Sequence, residues 1–485
     1  MNVNSERNIT LVMDFYELTM AYSYFKKKRQ EEIVYFDMFY RKNPDNGGTV
    51  LAAGLQQVIE SIENMHFSEG DIEYLRSLNK FDEDFFDYLR KFQFTGTIWA
   101  IPEGTPVFPY EPIVTVKGKI IEVQLIETFL LVSINHQSLI ATKTRRVVQE
   151  AKGRAVMEFG ARRAQGYDGA NYGARAAYIG GACGTATVMA GKMFNIPVLG
   201  TMAHSFVQSF ESEYEAFKAY AEVYPDSCIL LVDTYDTLKS GVPNAIRTAE
   251  EVLLPMGKRL AGIRIDSGDI AYLTKKARAM LDVAGFHDAK ISVSNSLDEY
   301  LIRSVLEQGA CIDSFGVGEN MITSKSSPVF GGVYKLAAVE NKEGHIEPRI
   351  KISENREKIT NPGYKKVYRL IEKETNKAIA DYITFADEVI DVNNDLVIYS
   401  QLDKWKNKTL PAGSYEFFEL QQLVFDKGKC VYPNYSLEQI RQRVIQQERL
   451  MWDEIFRLEY PHSYYVDLSE KLIDFKLKML QEKRG

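Results

Sequence analysis

Cysteine is scarce. The 485 residues hold four, Cys183, Cys228, Cys311 and Cys430. No two of them form a C-x-x-C pair, so neither a zinc site nor a disulfide framework is signalled. They read as small buried thiols of a chain kept in a reducing cytoplasm. Long apolar runs are missing as well. None approaches the roughly 18 residues needed to span a bilayer, and Met1–Arg7 lacks the basic and apolar regions of a leader. Positive charge is not in excess. A net charge of −7 argues against a general binder of nucleic acid or anionic membrane, while leaving room for a local basic pocket. No G-x-G-x-x-G opens a helix after the first strand, which weakens a dinucleotide-binding reading. No solenoid repeat and no low-complexity tract appears.

What is present is enough for a large core. Hydrophobic residues make up 45% of the chain, and its length allows about three domains. The expected division is 1–130, 131–340 and 341–485. In the first segment, helical spacing covers Asp14 to Phe25, a strand is expected at Val34 to Phe39, and helices at Leu51 to Glu63 and Glu69 to Leu78. Thr97 to Lys117 carries Pro102, Pro106, Pro109 and Pro112, which suits edge strands and turns rather than a central sheet. A long helical connection over 123–150 leads into a βα rhythm with strand onsets about 30 residues apart. Gly332 to Val339 is a further strand candidate. Beyond 341 come turn signals and two amphipathic helices, about 436–457 and 467–482.

The polar residues fall at the ends of the apolar runs. Arg162 and Arg163 follow Ala155–Gly160. His204 and Ser205 follow Pro197–Thr201, and Asp233 closes Cys228–Val232. Arg264, Asp266 and Asp269 lie in Gly262–Asp269. Ser294-Asn295 end Ile291–Val293, and Gly316-Val317-Gly318 follow Asp313–Phe315. In a parallel barrel such strand ends open onto one face, where active sites are built. An open doubly wound sheet fits the same beat.

His204 at a strand end beside Thr201 and Ser205 could be a base, a metal ligand or a nucleophile. Arg264 and Asp266 alternate on one strand and project to one side. Arg264 offers a fork for carboxylate or phosphate, and Asp266 can accept from sugar hydroxyls or hold a hydrated cation. A buried structural ion pair is the plainer alternative. Ser267-Gly268-Asp269 and Gly316-Val317-Gly318 are glycine turns whose backbone N–H groups can receive phosphate oxygens.

Four long motifs in order, Asp14–Met20, Glu158–Arg163, Gly200–Ser205 and Arg264–Asp269, resemble the nicotinate phosphoribosyltransferase family. Lys351-Ile352-Ser353 and Lys358–Gly363 continue the likeness over nearly the whole chain. The resemblance implies an α/β fold: an irregular TIM-like barrel, an N-terminal α/β domain and a C-terminal extension completing it. It implies a homodimer with shared active sites. The implied reaction joins nicotinate to 5-phosphoribosyl 1-pyrophosphate, giving nicotinate mononucleotide and pyrophosphate, coupled to ATP hydrolysis through a phosphohistidine and requiring Mg²⁺. By the same likeness His204 is the phosphorylated residue. Tyr16 and Phe159 sandwich the pyridine ring, with Tyr16 donated by the neighbouring subunit. Arg264 and Thr201 contact nicotinate, Arg162 holds pyrophosphate, and Asp266 serves the ribose or metal side. Gly316 and Gly318 cradle the 5′-phosphate, and Ser205, Asp269 and Ser294 complete the binding set. Glu319 departs from the Thr expected after the Gly-x-Gly turn, so it should point away from phosphate or toward a cation. Ala186, in Gly184–Thr187, stands where nicotinamide-using relatives carry aspartate, which implies preference for the acid. A nicotinamide or quinolinate transferase, a catalytically silent homologue and a metal-dependent barrel lyase are the competing readings.

Overall fold

The computed structural model describes residues 7–484, so the leader reading of residues 1–6 lies outside the described residues. The chain packs as two compact units, one from residues 1–139 and 329–485 and one from 140–328. No helix among the described residues is long and apolar enough to cross a membrane.

The first unit contains two sheets. One has seven strands, ordered Ile346–Pro348, Val333–Glu340, Ile33–Phe39, Val114–Lys119, Thr97–Ala100, Gln422–Asp426 and Lys429–Cys430, all antiparallel. The strands Thr97–Ala100 and Val114–Lys119 are therefore interior, against the expectation of edge strands. The prolines explain it: Pro102, Pro106, Pro109 and Pro112 fall in the connection between the two strands and remove no donor from either. Val50–Leu51 pairs with Pro106–Val107, which delays the following helix to Leu55–Glu63. Val333–Glu340 belongs to this antiparallel sheet and not to the βα run.

The second sheet of this unit has six strands, ordered Asn407–Leu410, Leu396–Ser400, Tyr465–Leu468, Lys377–Phe385, Lys365–Glu372 and Tyr415–Glu419. Its last helix, Glu470–Arg484, starts after the Tyr465–Leu468 strand. Phe36, Val114, Ile98, Val424 and Leu472 belong to one buried cluster drawn from both ends of the chain. Burying each such side chain contributes roughly 1.5–3 kcal/mol before entropy.

The second unit is built on a six-stranded parallel sheet. Its order is Gly184–Thr185, Ala155–Glu158, Ser314–Val317, Lys290–Ser294, Gly262–Ile265 and Ile229–Leu231. Ile263, Ile265, Ile291, Val293, Phe315 and Val317 are fully buried, as expected of parallel strands covered on both faces. The expected irregular TIM-like barrel is met only in part. The sheet curls as a half-barrel, and among the described residues its two outer strands do not pair with each other. The Pro197–Thr201 run, expected as a full strand, contributes a single parallel bridge, Thr185 to Val198. Pro197 at its start has no N–H to give, and Gly200 near its end brings no side chain to pack, so the ladder stays short.

Candidate active site

The C-terminal strand ends of the parallel sheet gather around Arg264. Its guanidinium donates to Ser294 Oγ at 3.0 Å, Thr201 Oγ1 at 3.1 Å, the Met202 carbonyl at 3.4 Å and Asp266 Oδ1 at 3.2 Å. It also lies over the Phe159 ring, 5.7 Å from the centroid. One cation thus ties three separate chain segments, and only 15% of its side chain is exposed. Ser294 donates in turn to Asp266 Oδ1.

His204 opens a short helix, His204–Gln208. Its Nδ1 is 3.1 Å from Thr234 Oγ1, and its Nε2 is 3.7 Å from Asp266 Oδ2. Asp233 closes the next strand. Its Oδ2 accepts from the Asp266 backbone N–H at 3.0 Å and from Ser267 Oγ at 2.6 Å. Its Oδ1 is buried with no hydrogen-bond partner. After Ser267, Gly268 takes a φ of +82°, which a β-carbon would strain. Asp269 then caps the helix Ile270–Val283, accepting from the Tyr272 N–H at 3.0 Å.

Phe159 is held by its N–H on the Val317 carbonyl at 2.8 Å. Gly316 lies under the ring: a β-carbon there would come within 2.5 Å of it. Glu158 is fully buried beside it. Its carboxylate accepts from the Gly160 N–H and from Thr185 Oγ1 at 2.5 Å. Burial pushes this carboxyl above the usual range, and the Thr185, Gly160 and Thr187 hydrogen bonds work against that shift. On the same rim, Glu319 bonds Lys325 at 2.8 Å and faces Arg163 at 3.9 Å. Lys325 holds its carboxyl below the usual range, so the acidic residue after the Gly-x-Gly turn is turned onto cations, as its chemistry requires.

The structure brings together His204, Arg264, Asp266, Thr201, Ser294 and Phe159, with Gly316 beneath the ring. Arg162 and Ser205 are exposed, and Gly318 precedes the Glu319–Ile322 turn. Tyr16 belongs to the other unit, in the first turn of the helix Phe15–Lys26, and is 44% exposed. Partial burial and Glu127 raise its phenol pKa. Asp233 stood out in the sequence only as a strand-end carboxylate with no role, and Glu158 and Thr234 were given no role at all. Their signal was position alone: Glu158 ends the strand Ala155–Glu158, and Asp233 and Thr234 come two and three residues after Ile229–Leu231.

Among the described residues no three His, Cys, Asp or Glu side chains gather as a metal site. Mg²⁺ needs fewer, because it keeps water and substrate phosphates and takes one or two carboxylates. Asp266 beside Asp233, with its unpartnered oxygen, fits that demand.

The nicotinate phosphoribosyltransferase family model matches residues 154–371, its N-terminal domain 11–135 and its C-terminal domain 364–476. The chain is 44% identical to the nicotinate phosphoribosyltransferase of Bacillus subtilis (strain 168), over 98% of this chain and 96% of that protein. The chain belongs to the nicotinate phosphoribosyltransferase family. The family's Dictyostelium discoideum and Homo sapiens enzymes are 34% and 30% identical, covering 96% and 95% of the chain and 87% and 95% of their own lengths. The crystal structure of human nicotinic acid phosphoribosyltransferase superposes with a TM-score of 0.82 at 28% identity, over 97% of this chain and all of that one. A nicotinate-nucleotide pyrophosphorylase from Pyrococcus furiosus shares the fold at a TM-score of 0.69 and 23% identity, over 93% of this chain and 98% of that one.

Proposed function

We propose that this chain transfers the 5-phosphoribosyl group of 5-phosphoribosyl 1-pyrophosphate to nicotinate, forming nicotinate mononucleotide and pyrophosphate on the route to NAD. The observation that carries the reading is the Arg264 guanidinium, fixed over the Phe159 ring by Ser294, Thr201 and Asp266 and flanked by His204. A pyridine stacked on Phe159 would present its carboxylate to the outer N–H groups of Arg264, a charge-assisted contact. Stacking fixes the ring nitrogen over the anomeric carbon, and that orientation lowers the barrier. As the C–O bond to pyrophosphate breaks, the ribose gains oxocarbenium character and the leaving group gains charge.

Arg162, exposed at the mouth, receives the pyrophosphate. Asp266 faces the ribose. The Gly318 turn offers N–H groups to the 5′-phosphate, and Gly316 serves as the floor under Phe159. Asp269 keeps one carboxylate oxygen for substrate beyond its helix cap, and Ser205 lies at the rim. Asp266 and Asp233 would hold Mg²⁺, which when bound neutralises phosphate charge.

ATP coupling runs through His204. A ring nitrogen takes the γ-phosphoryl group, ADP leaves, and hydrolysis of the phosphohistidine returns the ring. Thr234 orients the imidazole by its contact to Nδ1. The working unit is a homodimer in which Tyr16 of the partner subunit covers the second face of the pyridine.

The test supplies the purified chain with nicotinate, nicotinamide or quinolinate, each with and without ATP. Nicotinate should be used by far the best, and ATP should stimulate it. His204→Ala should lose the stimulation while keeping weak, ATP-independent transfer. Transfer to none of the three acceptors would favour a silent homologue. Full ATP stimulation of the alanine variant would remove His204 from the coupling.

A further inference from the structure

A cleft of about 730 Å³ opens on the six-stranded sheet of the first unit, formed by residues that the transfer reaction does not use. Three neighbouring strands build it: Leu396–Ser400, Asn407–Leu410 and Tyr465–Leu468, with Ser400 registered opposite Asp467 and Ile398 opposite Lys408. Tyr465 and Asp467 are two residues apart and share one face of their strand. Lys406 and Lys408 alternate in the same way, and the Lys408 ammonium lies 5.6 Å from the Tyr465 ring centroid.

Asp467 lies on the floor, only 6% exposed. Burial raises its carboxyl to about 6, against the pull of Lys406 and Lys408. Arg457 and the 96%-exposed Tyr460 complete the rim. Lys406 and Lys408 therefore face one carboxylate, while Arg457 on the rim is bonded to Glu454 at 3.3 Å, which leaves the two lysines as the cations open to a ligand.

Each part of this lining selects a part of a ligand. Two lysine side chains converging on one cleft suit a phosphate group. An aspartate on the floor, an acceptor when ionised, suits a vicinal diol, in the way acidic residues receive ribose hydroxyls in dinucleotide sites. Exposed tyrosine rings suit a planar base. The volume lies within the roughly 300–1,000 Å³ of small-molecule sites and far exceeds what a lone phosphate fills.

We propose that this cleft binds a nucleoside 5′-phosphate, with the phosphate on Lys406 and Lys408, the ribose diol on Asp467, and the base against Tyr460 or Tyr465. The site is separate from the pyridine site built on Arg264 and does not depend on the transfer reaction.

Calorimetric titration of the full chain with adenosine 5′-monophosphate, at fixed low salt, tests it. The parent should bind saturably, and Lys406→Glu/Lys408→Glu should weaken binding by at least about tenfold. Both lysines are exposed, so the variant should keep the parent's melting temperature. Arg264→Ala should bind as the parent does. Adenosine, inorganic phosphate and the 2′,3′-dideoxy monophosphate should each bind more weakly than the intact nucleotide. Four results overturn the proposal: no binding by the parent, binding unchanged in the double lysine variant, binding lost in Arg264→Ala, which would place the nucleotide at the strand-end site, or inorganic phosphate binding as tightly as the nucleotide. Equal binding of the dideoxy analogue would overturn the role given to Asp467.

Discussion

Gly316→Ala is a one-carbon test of the pyridine platform. A β-carbon at 316 would fall 2.5 Å from Cδ2 and 2.6 Å from Cε2 of Phe159, and 3.3 Å from Cβ of Ser294. Favourable carbon–carbon separations are about 3.5–4.0 Å, so the ring must recede by about 1 Å. The ring cannot recede freely, because Arg264 lies over it and is itself tied to Ser294, Thr201 and Asp266. Overpacking of this kind costs about 1–3 kcal/mol, which in a unit of this size lowers the melting temperature by about 2–12 °C. The functional cost should be larger. A displacement of about 1 Å of a positioning group can cost about 100-fold in rate. The assay is steady-state kcat/KM for nicotinate beside a thermal melt of the same preparation. Gly316→Ala/Phe159→Leu should recover stability by giving the methyl group room, yet stay poor in nicotinate use. An alanine variant whose kcat/KM stays within about threefold of the parent would refute the platform argument.

Ala186 is exposed and its N–H reaches the Glu158 carbonyl at 2.9 Å, so no tight packing demands a small side chain there. Ala186→Asp should depress kcat/KM for nicotinate by up to about three orders of magnitude, from about 4 kcal/mol of like-charge repulsion at about 4 Å, with an unchanged melt; an unaltered nicotinate-to-nicotinamide ratio would sink the idea. Tyr16→Ala chains mixed with His204→Ala chains should regain activity if sites are shared, because some heterodimers hold one undamaged site, and well-formed heterodimers with no recovery would count against sharing. Glu17 is fully buried, with Oε2 lacking a hydrogen-bond partner, and burial raises its carboxyl from 4.5 to about 7. The folded state thus holds the proton more tightly: the contribution is complete below pH 4.5 and is lost as pH rises through 7. Glu17→Gln should flatten that slope and raise stability at pH 8 by up to about 3 kcal/mol; a variant with the parent's slope in melts from pH 4.5 to 8 would refute it.

The parallel sheet was legible because its apolar runs are short, uninterrupted and followed by polar residues, as in Cys228–Val232 before Asp233. The motifs also carried the family. The rest was hidden for definite reasons. Prolines at 102–112 read as a poor sheet, yet they mark the loop between two interior strands. The strands at Lys365–Glu372 and Lys377–Phe385 carry a fully buried Arg369–Asp381 pair at 2.6 Å, which breaks the apolar alternation a strand is read from. The rhythm fitted a barrel and an open doubly wound sheet alike, and the irregular barrel came from the family likeness, because rhythm reports strands and not the pairing between the first and the last. At the site, Arg264 and His204 stood out by residue type. Glu158 did not, since a buried carboxylate that receives the Gly160 N–H is visible only once the strand end is folded.

The interleaving of the two units sets an order of events on the ribosome. The strand Ile33–Phe39 pairs with Val114–Lys119 on one side and with Val333–Glu340 on the other. Its second partner is about 300 residues away and, at typical elongation speeds, emerges about 15–60 s later. Through that interval the nascent sheet carries an open edge, and an open apolar edge is a template for pairing with other chains. Residues 140–328 can complete their own sheet meanwhile, because every strand of it lies within that span. The late strand therefore does more than fill a core. Its arrival ends the period in which the nascent chain is most exposed to aggregation.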